Sequence, residues 1–368
     1  MRWNFFRRGG SPDYVLIVVT FLLVIFGLVM LTSASSDLAR KKFNDSYFYL
    51  RHQILYGLSL GLIGFFTASK LYYKIYQKWA VGLLFLGIAG LLAIFTPLGF
   101  SAGGADRWLN LGGLIIQPSE LLKIFFVIYL AAWLSGRSER KDDFWKGLVP
   151  FLVLTGIVDF LLIIQPSTST VAILMAAAIS IYFVSGAKFR YIVGIILLGA
   201  LAFAAVSYFS PYRWQRVMTF LNPDQNLQGA GYHINQSLIA IGSGQLWGVG
   251  YGQSTTKLLF LPESVGDSIF AVIAEELGFV GAILLVGAFA TLVIRGFLLA
   301  RKTSDSFGRL LLVGFSTLIG VQAFINIGAI SGLLPLTGTP LPYISYGGTA
   351  LAVFMTISGI MVNISKYR

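Results

Sequence analysis

The chain has 368 residues, 56% of them hydrophobic and only 11% charged, with a mean hydropathy of +0.79. Soluble domains carry roughly 25% charged residues, so a water-soluble globular fold is excluded. The formal charge of +12 fits loops that collect Lys and Arg on the cytoplasmic side of a membrane better than a nucleic-acid surface. With no cysteine and two histidines, there is no disulfide framework, no thiolate nucleophile and no material for a His-rich metal site.

The apolar runs predict an all-α polytopic membrane protein of ten spans, at about 14–32, 54–69, 79–97, 115–134, 147–164, 168–185, 190–208, 268–293, 310–331 and 343–364. Each approaches the ~20 residues that cross a bilayer. The stretch before span one is basic, but the apolar run after it is long and lacks a small-residue cleavage pattern, so no cleavable signal is expected. Arg2, Arg7 and Arg8, then Lys70, Lys74 and Lys78, then Arg137, Arg140 and Lys141, fall on one set of connections. That bias places both termini in the cytoplasm and the long 209–267 segment outside. The whole chain, 1–368, reads as one membrane domain. Its outer segment mixes glycines with aromatics and apolar residues, so it is expected to hold short re-entrant or interfacial helices.

Candidate sites follow in chain order. Arg107 beside Trp108 suits an anionic headgroup or, equally, an interfacial anchor. Glu120 and Lys123, three apart in Gln117-Pro118-Ser119-Glu120-Leu121-Leu122-Lys123, share a helix face. They either neutralise each other inside the bundle or line a polar cavity against a charged substrate. Gln165-Pro166-Ser167 marks a tight hairpin between spans five and six. Gly242-Ser243-Gly244-Gln245-Leu246-Trp247-Gly248 is off register for a dinucleotide loop and lacks a strand–helix unit around it, and no phosphate-binding P-loop is present. Asp267, at the seam of the outer segment and span eight, is either a helix N-cap or a catalytic or ion-binding carboxylate. Glu275 lies eight positions on, about 80° round a helix, and can share its cavity, whereas Glu276 points away and pairs elsewhere. Between spans nine and ten, residues 332–349 carry three prolines and four glycines, and so demand irregular backbone lining a wet cavity or buried in protein. Ser345 within it joins the candidate substrate-binding set.

Several stretches in order resemble the SEDS family (shape, elongation, division and sporulation proteins, including FtsW, RodA and SpoVE). They are Gly27-Leu28-Val29-Met30, Arg107-Trp108-Leu109-Asn110, Gln117-Pro118-Ser119-Glu120, residues 236–244, Leu261-Pro262-Glu263, Glu275-Glu276-Leu277-Gly278 and residues 340–348. The first of these and Asn363-Ile364-Ser365 lean toward the FtsW branch. The resemblance implies a multi-pass protein of the bacterial cytoplasmic membrane that polymerises lipid II into glycan strands during division or elongation, with a class B penicillin-binding protein as partner and no nucleic acid. Asp267 matches the family's essential acidic position, flanked by Gly266 and Ser268 where many members have Thr and Phe. Ser167 replaces the Asp of the family's Gln-Pro-Asp. On this reading Asp267 is a general base or a ligand for Mg or Mn, with no organic cofactor. Glu120, Lys123, Arg107, Lys257, Glu275 and Ser345 are substrate-binding candidates. A lipid II flippase and a non-catalytic scaffold for the cross-linking enzyme fit the same buried charges.

Overall fold

The computed structural model describes residues 9–102, 105–112, 114–136, 143–222 and 230–368. Arg2, Arg7, Arg8, Gly103, Gly104, Arg137, Arg140, Lys141 and Gly229 lie outside the described residues. The elements in order are α1 (Tyr14–Phe43), α2 (Phe48–His52), a π-helical turn (Gln53–Leu58), α3 (Ser59–Lys70), α4 (Lys74–Ala93), β1 (Gly99–Ala102), β2 (Ala105–Leu111), β3 (Leu114–Ile116) and α5 (Pro118–Gly136). A second π-helical turn (Phe144–Leu148) leads into α6 (Val149–Ile164), followed by α7 (Thr168–Val184), α8 (Phe189–Tyr208), α9 (Pro211–Leu221), α10 (Ala230–Ser243), α11 (Thr256–Leu259), α12 (Ile269–Lys302), α13 (Ser306–Ile330) and α14 (Gly348–Ser365).

Among the described residues, eight helices are long and apolar enough to cross a membrane unaided: α1, α4, α5, α6 with its lead-in, α8, α12, α13 and α14. The chain is a multi-pass membrane protein. The other two expected spans are also helical, since 48–70 runs unbroken through the π turn and α7 has 17 residues. The expectation of an all-α chain needs one amendment, the antiparallel sheet β1-β2-β3 before α5. Its signal is in the sequence: Gly-Gly pairs occur at 103–104 and 112–113, a composition that hairpin connections favour.

Helices α13 and α14 form the enveloped centre, whereas α8 is almost bare of protein neighbours. One end of the bundle is tied by polar contacts. Arg295 Nη2 lies 2.7 Å from Asp13, Lys74 pairs with Asp305 at 2.9 Å, and Asn363 bridges Tyr73 N and Ser69 O at 3.0 and 2.9 Å. The other end carries the sheet, helices α9–α11 and the irregular 331–347 segment.

Helix α12 is two helices in series, because Gly278 breaks it at φ 67°, ψ −167°. The freed polar groups are met by the 245–250 turn: Val249 N and Gly250 N donate to Glu275 O and Glu276 O, and Phe279 N and Val280 N to Gln245 O and Leu246 O. A Cβ at Gly278 would collide with Gly248 N and Leu246 O, so only glycine fits. Residues 279–302 span about 36 Å as a helix, enough to cross the ~30 Å hydrocarbon layer alone. The break and the exposed Leu246 and Trp247 beside it therefore sit at membrane-interface depth, where aromatic belts form.

Candidate functional site

Asp267 stands one residue outside α12, at the end of a series of turns over 262–268. Its backbone is fixed from several sides. Asn326 Nδ2 on α13 donates to Asp267 O at 2.9 Å, and Ser345 Oγ donates to Gly266 O at 2.7 Å. Tyr346 N donates to Val265 O at 2.9 Å, and Ser268 Oγ to Pro262 O at 2.8 Å. Glu263 takes a left-handed φ of 49°, a conformation that a non-glycine residue keeps only where its surroundings impose it.

The 336–347 segment is the opposite wall. Gln322 Nε2 holds Pro340 O at 2.9 Å, Asn326 Nδ2 holds Thr339 O at 2.8 Å, and Gln53 Oε1 accepts from Gly347 N at 3.0 Å. Gly27 on α1 lets this segment approach, because a Cβ there would lie 2.6 Å from Tyr343 O.

Between the walls lies a cavity of about 1340 Å³ lined by Asp267, Glu263, Arg107, Arg213, Arg216, His52 and His233 among others. Strand β2 delivers Arg107. Its Nε donates to Gln165 O at 3.2 Å and its Nη2 to Pro166 O. Arg213 on α9 donates to Ile163 O at 2.8 Å and to Thr168 Oγ1 at 3.1 Å. Both guanidiniums thus sit on the open carbonyls at the C-terminal end of α6, the electronegative end of that helix. Arg216 donates to Leu336 O at 3.2 Å.

Burial pushes the Asp267 carboxyl up to about 7, and Glu263 adds to the rise, while Arg216 and Arg107 pull it back. Burial and the nearby Arg216 push the His233 imidazole down to about 4, so it is neutral at ordinary pH. Next to the polar cavity lies an apolar groove of about 470 Å³ walled by α3, α4, α5 and α14, with His52, Ile115, Gly348 and Thr349 lining both.

Of the sequence candidates, the structure brings Asp267 and Arg107 together in the cavity. The others sit elsewhere. Lys123 Nζ pairs with Glu120 Oε1 at 2.6 Å and donates to Gln322 Oε1 at 2.7 Å, with both side chains almost wholly buried. The pair lies beneath the cavity and steadies Gln322, and through it Pro340, rather than lining the wall. Ser345 Oγ is spent on Gly266 O and on Leu341 N at 2.8 Å. It braces the Asp267 turn and does not face substrate.

Glu275 does not share the cavity either. Its carboxylate takes the hydroxyls of Ser254, Thr255 and Thr256 and the backbone N–H of Thr255 at 3.1 Å. The helical-wheel argument failed because Asp267 precedes the helix, so no fixed angle relates the two. Lys257 is buried against Glu276 Oε1 at 2.6 Å, Ser33 Oγ at 2.8 Å and Gly252 O at 3.0 Å, and cannot reach a phosphate in the cavity. Glu276 does pair elsewhere, with Lys257, although the wheel that suggested it has no valid origin at Asp267. Sequence reading missed Arg213, Arg216 and His233. The available signal was two arginines three apart on the short amphipathic helix α9, where they share a face.

Among the described residues, no group of three or more His, Asp or Glu side chains is placed to hold a metal. Asp267, with Glu263 beside it, is a hard-oxygen pair facing a wet cavity. That donor set suits a cation that keeps most of its water.

The sequence matches the FtsW/RodA/SpoVE family, described as cell cycle protein, over residues 13–368. It is 37% identical over 360 residues to a probable peptidoglycan glycosyltransferase FtsW of Geobacter sp. (strain M18), covering 98% of each chain. It is 36% identical over 361 residues to the stage V sporulation protein E of Bacillus subtilis (strain 168), again covering 98% of each. A chain from a peptidoglycan synthase complex that coordinates polymerization and crosslinking superposes with a TM-score of 0.80 at 28% identity, covering 96% of this chain and 98% of that one.

Proposed function

The chain belongs to the FtsW/RodA/SpoVE family and is a peptidoglycan glycosyltransferase; we propose that it lengthens glycan strands from lipid II, with Asp267 at the reacting centre. The observation that carries this reading is a pair of adjoining cavities of opposite character that share His52, Ile115, Gly348 and Thr349. A cavity with an aspartate facing arginines lies next to an apolar groove among the spans. A lipid-linked saccharide has the same two parts, a sugar pyrophosphate head and a polyprenyl tail. Charge bias supports the cytoplasmic membrane with both termini inside, the cavity at the outer face and ten crossings in all.

The chemistry is an inverting transfer. The 4-hydroxyl oxygen of the acceptor sugar attacks the anomeric carbon of the lipid-linked donor. The bond from that carbon to pyrophosphate breaks, and its electron pair leaves with the lipid pyrophosphate. The hydroxyl proton passes to an Asp267 carboxylate oxygen and from there to water. A carboxyl raised to about 7 is a far better base than an ordinary aspartate near 3.9, and about half of it is ionised at neutral pH. Arg107, Arg213 and Arg216 line the same cavity, which supports a role in holding the departing pyrophosphate through paired N–H donors. In the alternative role, Asp267 with Glu263 beside it would instead hold a divalent cation such as Mg or Mn, which would supply positive charge to the pyrophosphate.

The likeness to a chain of a peptidoglycan synthase complex supports a class B penicillin-binding protein as partner, cross-linking the strands as they emerge during division or elongation. The test is purified protein with lipid II in detergent, where there is no leaflet to cross. Glycan strands that disappear with Asp267→Ala are expected. No polymer, even with the partner present, would favour a flippase instead.

A further inference from the structure

His233 on α10 lines the cavity beside the Asp267 turn, and its Nε2 lies 2.5 Å from Ser268 Oγ. Ser268 directly follows Asp267 and is fully buried. A serine hydroxyl has one proton to give. Pro262 O, at 2.8 Å, can only accept. With that proton committed to Pro262, the short contact to the imidazole closes when the ring carries its hydrogen on Nε2. His233 then donates to Ser268, and Ser268 donates to Pro262.

Pro262 and Ser268 bracket the turn that presents Asp267, and the same turn includes the left-handed Glu263. Ser268 N also donates to Glu263 O at 3.1 Å, so Ser268 closes the turn through both its backbone and its side chain. On the other side the turn is gripped by Asn326 and Ser345. We infer that His233 is a positioning residue for the glycosyl transfer: its Nε2–H fixes Ser268, and through Ser268 it fixes the direction in which Asp267 offers its carboxylate. The inference rests on the polymerase reading above and adds a residue of the outer segment to it. It does not make the imidazole an acid or a base.

The test uses the full chain purified in detergent, with lipid II and a steady-state polymerisation assay. His233→Ala and Ser268→Ala should each lower kcat roughly tenfold with KM within about twofold, since a misdirected group slows chemistry more than binding. The double variant should be no slower than the slower single one, because both remove the same link. His233→Gln should keep kcat within about threefold of wild type, because its amide N–H reaches the same acceptor. Wild-type kcat in His233→Ala, additive losses in the double variant, or a His233→Gln as slow as His233→Ala would each overturn the inference. If His233→Ala does not fold, His233→Gln against Ser268→Ala decides: an active Gln variant and a slowed Ala variant support the link, and the reverse overturns it. A wild-type protein that makes no polymer defeats the polymerase reading itself and takes this inference with it.

Discussion

At the scale of single residues, the account turns on one carboxyl whose proton affinity is set by burial and by Glu263, against two arginines. Below about pH 7 the Asp267 carboxyl is protonated and cannot accept the acceptor's proton, so kcat/KM for polymerisation should fall as pH drops through that value and level off above it. Glu263→Gln removes a negative neighbour and should move the midpoint downward; a pH–rate series on both proteins reads the shift. The buried Glu120–Lys123 pair predicts a different outcome. Lys123→Met leaves Glu120 and Gln322 without their donor and should cost ~3–5 kcal/mol of stability in thermal unfolding. Asp267 and Arg107 stood out in the sequence as charges at a membrane boundary, each beside a bland alternative, an N-cap and an interfacial anchor; the fold is what brings them to one cavity. Glu275, Lys257 and Ser345 were misjudged because their partners come from residues 20, 224 and 79 positions away. Nothing in local spacing names those partners.

Among elements, the break in α12 and the 336–347 segment do most to shape the site. The break keeps the short helix Ile269–Leu277 beside α10, and the segment supplies the facing wall. Gly278→Ala forces a Cβ into Gly248 and Leu246 at a positive φ and should cost on the order of 3 kcal/mol, seen as a lowered midpoint in thermal unfolding in detergent. The irregular 332–349 connection was readable from its prolines and glycines, and the presence of short helices in 209–267 from its apolar content. The sheet was missed although its Gly-Gly pairs were in view, because an apolar setting drew attention to helical periods. The Gly278 break was invisible for a related reason: a lone glycine in an apolar run is tolerated in most membrane helices, and only the 245–250 turn makes it a joint.

For the molecule as a whole, hydropathy located the helices, eight of them long and apolar enough to cross a membrane among the described residues. Helices α1 and α12 nevertheless run on to Phe43 and Lys302, past the expected ends at 32 and 293. The charge bias gave an orientation that the fold makes checkable. The absence of native cysteines makes single-cysteine reporters clean. Gln253→Cys, exposed near the Asp267 end, should react with a membrane-impermeant maleimide in intact spheroplasts, and Lys302→Cys, exposed at the C-terminal end of α12, only after permeabilisation. The opposite pattern would put the cavity on the cytoplasmic side and end the reading of outer-face synthesis. The central claim is sharper than topology: the Asp267 carboxylate acts on the reacting sugar. Its most direct test is single-turnover bond formation on pre-bound lipid II, comparing wild type with the isosteric Asp267→Asn. The account predicts lipid II affinity within a few-fold of wild type and a rate of glycosidic bond formation lower by roughly 10²–10⁴. An unchanged rate, or a deficit explained wholly by weaker binding, would contradict it.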